Sequence, residues 1–165
     1  MRVLVITASK HGATAEIGHA IGDVLISEGL DVRVLPPEDV ATVDGFDAVV
    51  LGSAVYAGHW MHSAIELAEE FEMELSRRPT WIFSSGPVGD PPKPDEDPVD
   101  VDSIRELTGA KGHIVFAGKL DKRQLGFGER AIVTAFRAPE GDFRDWDEVR
   151  AWATGIAQQL KASVS

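Results

Sequence analysis

The apolar positions of this chain follow two periods. Short runs that are apolar at nearly every position, Val3–Thr7, Val32–Leu35, Ala48–Gly52, Trp81–Ser84 and Ile114–Ala117, predict strands covered on both faces, as in a parallel sheet. Between them, apolar residues recur three and four apart, the period of a helix lying on a core. Ile17, Ile21, Val24 and Leu25 form one stripe, which stops near Gly29. Ala64, Ile65, Ala68, Phe71 and Leu75 form a second, for which Ser63 and Glu66 read as a capping box. Val149, Trp152, Ala153, Ile156 and Leu160 form a third, with Asp145 and Glu148 as its box. A short helix is expected at Ser103–Leu107 and another within Glu129–Arg137. Strands alternating with helices predict an α/β fold: one domain over residues 1–165, a doubly wound five-stranded parallel sheet in the order 2-1-3-4-5, helices on both faces. Its ligand crevice then lies beyond the carboxyl ends of strands one and three, with the fourth nearby.

Composition changes this picture by exclusion. The chain has no cysteine, which removes disulfides, thiolate metal sites and cysteine nucleophiles. Its formal net charge of −11 argues against a nucleic-acid partner, since phosphate backbones need clustered Lys and Arg. The same charge fits plain solubility or an acidic face for a basic partner. Acids cluster at Glu66, Glu69, Glu70, Glu72 and Glu74, and again at Asp95, Glu96, Asp97, Asp100 and Asp102. Against this trend, Lys119, Lys122, Arg123, Arg130 and Arg137 face only Asp121 and Glu129. The longest uncharged run, Ala48–Ile65, is interrupted by Gly52, Ser53, Gly58, His59 and His62 and makes a poor membrane span. Met1-Arg2 leads straight into a strand without a signal peptide, so a cytoplasmic location is expected. No His, Asp or Glu grouping has metal spacing, and no G-x-S-x-G nucleophile elbow occurs.

Three loops should meet at the crevice: Ala8–Ala13, Ser53–Met61 and Ser85–Asp90. The first carries Ser9, Lys10, His11, Gly12, Ala13 and Thr14 between an apolar strand and a helix start. Hydroxyls and unpaired amides at the positive end of a helix dipole suit a phosphate. Neither a Walker A motif nor G-x-G-x-x-G is present, which disfavours ATP and the usual dinucleotide site. The second loop, Ser53-Ala54-Val55-Tyr56-Ala57-Gly58-His59-Trp60, sets two aromatics beside a glycine. Tyr56 and Trp60 either flank a flat ring or pack over the sheet end. The third, Ser85-Gly86-Pro87-Val88-Gly89, frees backbone groups to address the polar edge of a heterocycle. His59 and His62 are candidate proton donors beside such a ring, with a loop hydrogen bond and a helix start as their alternative roles.

A phosphate loop, a flat-ring loop and a polar-edge loop on this sheet resemble one family. The chain is similar to the flavodoxins, whose first loop runs hydroxyl, two residues, small, one residue, Thr, as in Ser9-Lys10-His11-Gly12-Ala13-Thr14. The resemblance implies a flavodoxin-like fold and FMN as cofactor. It assigns the phosphate to Ser9–Thr14, the isoalloxazine to the Ser53–Trp60 loop, its pyrimidine edge to Ser85–Gly89, and a backbone response to ring protonation near Gly58. It also implies electron transfer between partners, and the acidic balance of the chain points to a basic redox protein among them. Within the family, Val50-Leu51-Gly52-Ser53-Ala54, Gly58-His59, His62-Ser63-Ala64, Ala117-Gly118 and Gly141-Asp142 leading to Asp145-Trp146 resemble the menaquinone-dependent protoporphyrinogen oxidase branch. That branch implies an FMN-dependent oxidoreductase acting on a quinone or porphyrinogen, with membrane contact through a basic, apolar segment, here Lys119–Arg137. A doubly wound module without flavin, binding partners only, is the third reading.

Overall fold

The computed structural model describes residues 1–56, 58–86, 98, 100–120, 141–142 and 144–163. The chain runs through β1 (Arg2–Ala8), α1 (Ala13–Ser27), β2 (Asp31–Leu35), a 3-10 turn (Pro37–Asp39), β3 (Ala48–Tyr56), β4 (His59–Trp60), α2 (His62–Glu70), α3 (Glu72–Ser76), β5 (Thr80–Ser85), α4 (Val101–Thr108), β6 (His113–Phe116), β7 (Lys119–Leu120), β8 (Gly141–Asp142) and α5 (Trp146–Ser163). The parallel strands lie in the order β2-β1-β3-β5-β6, which is the expected topology once the hairpin strand β4 is set aside.

The unbroken apolar strands have a simple cause. Successive side chains point to opposite faces, and both faces are covered. Val3, Val5, Val50, Trp81 and Phe83 pack under Ile17, Ile21 and Leu25 of α1 and Val149, Ala153 and Ile156 of α5. Their neighbours Leu4, Ile6, Val49, Leu51 and Ile82 pack on the other face against Ala64 and Leu67 of α2, Leu75 of α3 and Ile104 of α4. Phe83, Phe116 and Trp152 close the first core as a triangle with centroid separations of 5.7–5.9 Å. No helix among the described residues is long and apolar enough to cross a membrane.

Phe83 explains Gly52. The two residues are register partners on β5 and β3, and a Cβ at position 52 would overlap the Phe83 ring. Gly52→Ala should therefore destabilise the fold by about 1–3 kcal/mol, the usual cost of overpacking a filled core. A lower urea midpoint at unchanged slope checks this, and an unchanged midpoint contradicts it.

Several local expectations are corrected. The second helical stripe is broken at Phe71 (φ −105°, ψ 26°) into α2 and α3, although its apolar residues still share one core. Ser63 does not cap α2: the helix begins one residue earlier, after an extended Met61, with no side-chain cap. The approach to that helix is set instead by Ser53 Oγ, which accepts the Met61 N–H at 2.9 Å. Asp145 does cap α5, accepting the Glu148 N–H at 3.2 Å. The short helix expected at Ser103–Leu107 is α4. The helix expected within Glu129–Arg137 lies outside the described residues.

Candidate functional site

The carboxyl ends of β1, β3 and β5 lie side by side, with Ala8 registered against Ser53 and Ala54 against Ser85. The three predicted loops begin at this edge, beside the switch between β1 and β3.

The first loop is a tight turn. Gly12 adopts φ 90°, a left-handed conformation that a side chain would strain, and caps α1 without any side-chain hydrogen bond to the helix. Among the described residues no side chain caps the first N–H groups of α1, which suits them to a ligand. One expected donor is engaged elsewhere: the Gly12 N–H donates to Ser9 Oγ at 2.9 Å. That bond uses the Ser9 oxygen as acceptor and leaves its hydroxyl proton to donate. Thr14 is buried in the first helical turn, Ser9, His11 and Ala13 are half-buried, and Lys10 is exposed. Uncapped amides, a left-handed glycine and hydroxyls form a donor set suited to a phosphate.

The second loop is not a loop along most of its length. β3 continues to Tyr56 because Ala54 still pairs with β5, and the chain then returns as β4, with Val55 opposite Trp60 and Tyr56 opposite His59. Ala57 lies outside the described residues, and Gly58 at the hairpin tip has φ 82°, with no described atom beyond its chain neighbours within 4 Å of where a Cβ would stand. Within this hairpin Ser53, Ala54 and Val55 are buried. The Ser53 hydroxyl donates to the Ala54 carbonyl at 2.8 Å, so Ser53 serves the fold.

The two aromatics have separate roles. Trp60 is 3% exposed and packs in the core between the sheet and α2, so it takes the packing role rather than flanking an open crevice. Its indole N–H donates to Ser84 Oγ at 2.9 Å, and that hydroxyl in turn meets His113 Nε2 at 2.9 Å. Tyr56 is 40% exposed, and its ring centre lies 5.9 Å from the Lys10 ammonium of the first loop. Tyr56 and Lys10 therefore bring the first and second loops together.

Of the two histidines, His62 pairs with Glu66 at 2.8 Å on the exposed side of α2, one turn along the helix. His59 meets Asp100 Oδ2 at 3.3 Å, and the same oxygen accepts the Trp60 backbone N–H at 3.0 Å. Asp100 directly precedes α4, so it fastens the hairpin to the segment that follows β5. In the third loop, Ser85 is buried and the Gly86 N–H donates to the Phe116 carbonyl at 2.9 Å. A Cβ on Gly118 would come within 2.9 Å of Gly86 Cα, so glycine at 118 is a condition of this close approach. Pro87, Val88 and Gly89 lie outside the described residues.

A family profile described as Flavodoxin domain matches residues 4–147. The chain belongs to the flavodoxin family. The solved structures it resembles include the rubredoxin oxygen:oxidoreductase of Desulfovibrio gigas, at 13% identity and a TM-score of 0.67. That match covers 99% of this chain but only 37% of the other protein. A flavodoxin of Streptococcus pneumoniae TIGR4 matches at 20% identity and a TM-score of 0.66, with 99% of each chain covered. A mutant flavodoxin of Fusobacterium nucleatum, bound to flavin mononucleotide, matches at 14% identity and a TM-score of 0.54. That match covers 69% of this chain and 66% of the other. At these identities the likeness is one of fold. No curated protein sequence matches the chain.

One contact with the first turn of α1 comes from outside the three predicted loops. β7 and β8 form a two-stranded antiparallel ribbon, and Arg144, just beyond it, packs against the first turn of α1. Its Nε and Nη2 donate to Asp142 Oδ1 and Oδ2 at 2.8 and 2.7 Å. Its Nη1 donates to Glu16 Oε2 at 2.8 Å and to the Ala13 carbonyl at 3.3 Å. The guanidinium lies 4.6 Å from the centre of the Trp146 ring. The sequence signal is the Asp142-x-Arg144 spacing, which fits a bidentate pair, but nothing in it points to α1. Arg144 and Asp100 share one trait: each fastens an element distant in sequence, which only the packed contact reveals.

The Arg144 hydrogen bonds hold the Asp142 carboxyl below its ordinary value, with Lys119 contributing from the facing strand. A depressed carboxylate stabilises the fold above the unfolded-state pKa of about 3.9 and stops doing so as the pH falls through its lowered folded value. Asp142→Asn should thus flatten the acid side of the stability–pH profile while leaving its slope near neutrality unchanged. Urea midpoints from pH 7 downward measure this, and parallel acid limbs for the two proteins would contradict it.

Proposed function

We propose that this flavodoxin binds FMN and passes electrons between partner proteins. The observation that carries the reading is the uncapped amino end of α1 beside an exposed Tyr56, at the edge where β1, β3 and β5 end. Ser9, Thr14 and the leading amides of α1 would hold the phosphate, and Tyr56 would cover one face of the isoalloxazine. Gly86 and its neighbours would meet the polar edge of the ring. Bound FMN supplies one- and two-electron redox chemistry, and the protein contributes orientation and electrostatics. Gly58, with no described atom crowding it, can change its backbone conformation when the protonation of a bound ring changes. Glu66, Glu69, Glu70 and Glu72 are exposed on α2 and α3 and favour a basic redox partner. Purified protein should show a flavin visible spectrum, or acquire one with added FMN. Colourless protein that takes up no FMN rejects the reading.

A second reading, an oxidoreductase of the quinone or protoporphyrinogen type, draws on one observation. Ser85–Asp102 holds no aromatic residue, so the third loop offers no ring to cover the second flavin face. Steady turnover of a soluble quinone by the reduced protein favours that enzyme, and its absence favours the carrier. Binding to anionic vesicles that is lost on neutralising Lys122 and Arg123 would assign the Lys119–Arg137 segment to a membrane surface.

A further inference from the structure

From the Arg144 cluster we infer that Arg144 is a positioning residue for the phosphate of the cofactor: it neutralises Glu16 and holds the first turn of α1, so that an anion can occupy the amino end of that helix. The inference rests on the FMN reading above. Glu16 stands in the first turn of α1. A carboxylate there interacts well with the helix dipole, which makes it a competitor for the field that a bound phosphate would use. Arg144 removes the competition in two ways. Its Nη1 draws the Glu16 carboxylate to itself at 2.8 Å and anchors the Ala13 carbonyl at 3.3 Å. Its Nε and Nη2 are locked on Asp142, and its plane lies over Trp146, so the side chain has little freedom to release either contact. The Arg144 side chain is 4% exposed, so solvent screens this cation far less than one on the open surface.

Removing the guanidinium would leave the Glu16 carboxylate without its cation at the amino end of α1, with Asp142 keeping only Lys119 among the described residues, and free the first turn of α1 to shift. FMN and riboflavin share the isoalloxazine and differ by the phosphate, so the ratio of their affinities isolates the effect at the phosphate. Arg144→Met should lower the preference for FMN over riboflavin by about tenfold, the scale of a charge acting at a helix terminus. Arg144→Lys keeps a cation but cannot bridge Asp142, Glu16 and Ala13 together, so it should move the ratio the same way by a smaller factor. Glu16→Gln should raise the ratio more in the Arg144→Met background than in the unmutated protein, which shows that the two side chains act as a pair. Fluorescence titration of the apoprotein with each flavin gives all the constants without any turnover assay. Equal loss of FMN and riboflavin affinity in Arg144→Met would overturn the inference and mark Arg144 as a fold residue only. If Arg144→Met does not fold, an unchanged ratio in Arg144→Lys overturns it instead. Failure of the cofactor reading looks different, because the unmutated chain then binds neither flavin and the inference falls with it.

Discussion

Ser9→Ala combined with Thr14→Ala should weaken FMN binding by about a hundredfold or more while changing riboflavin affinity by only a small factor, because each lost hydrogen bond to a charged group costs about 1.5–3 kcal/mol. The selectivity of the loss matters more than its size. Ser9 lies in the turn between β1 and α1 and Thr14 in the first turn of α1, and on the proposed reading both meet the phosphate rather than the ring. The Ser9 change has a second effect, since it deprives the Gly12 N–H of its acceptor at 2.9 Å and loosens the left-handed turn. Thr14→Ser, which keeps the hydroxyl, should recover most of the Thr14 share. Titration of the apoprotein with FMN and with riboflavin separates the outcomes. An equal decline for both flavins would remove the phosphate from this turn.

Trp60→Ala and Tyr56→Ala should fail in opposite ways. Trp60 is 3% exposed in the core and bonded to Ser84, so its removal should cost about 3–5 kcal/mol of stability, as for other buried aromatics truncated to alanine. Tyr56 is 40% exposed, and its truncation should leave the urea midpoint nearly unchanged. FMN affinity should respond in the reverse sense, with Tyr56→Ala losing about 1–3 kcal/mol of ring stacking. Trp60→Phe keeps most of the packing volume and lacks the indole N–H. It should fold, with a smaller loss that reports the indole hydrogen bond to Ser84. Denaturation and flavin titration of the same three variants test the assignment. A stability loss at Tyr56 matching that at Trp60 would show that both rings belong to the core.

Much of this architecture is legible in one sequence because parallel strands and amphipathic helices leave local signatures. Val3–Thr7 reads as a strand because both of its faces are buried, and Ile17, Ile21 and Leu25 read as a helix because they share one stripe. The glycine-bearing turn between them also reads correctly, since a left-handed Gly12 before a helix is a local matter. The second loop is harder. Ser53–Tyr56 extends β3 only because β5 and β4 offer it partners, and no residue in the segment announces that pairing. The helical stripe across Phe71 shows the same limit, because its period continues through a break in the backbone.

Apolar period in the chain alone gave the α/β class and the parallel strand order, and the spacing of the first loop carried the resemblance to the family that the profile match bears out. These depend on neighbours within a few residues, or on rules that apply to every chain of this pattern. Folding in three dimensions settled which aromatic is buried and which is exposed, joined His59 to Asp100, and brought Arg144 against α1. Each of those outcomes is a contact between distant segments. Burial, hydrogen-bond partners and electrostatic screening belong to the surroundings of a side chain, and those exist only once the segments have packed.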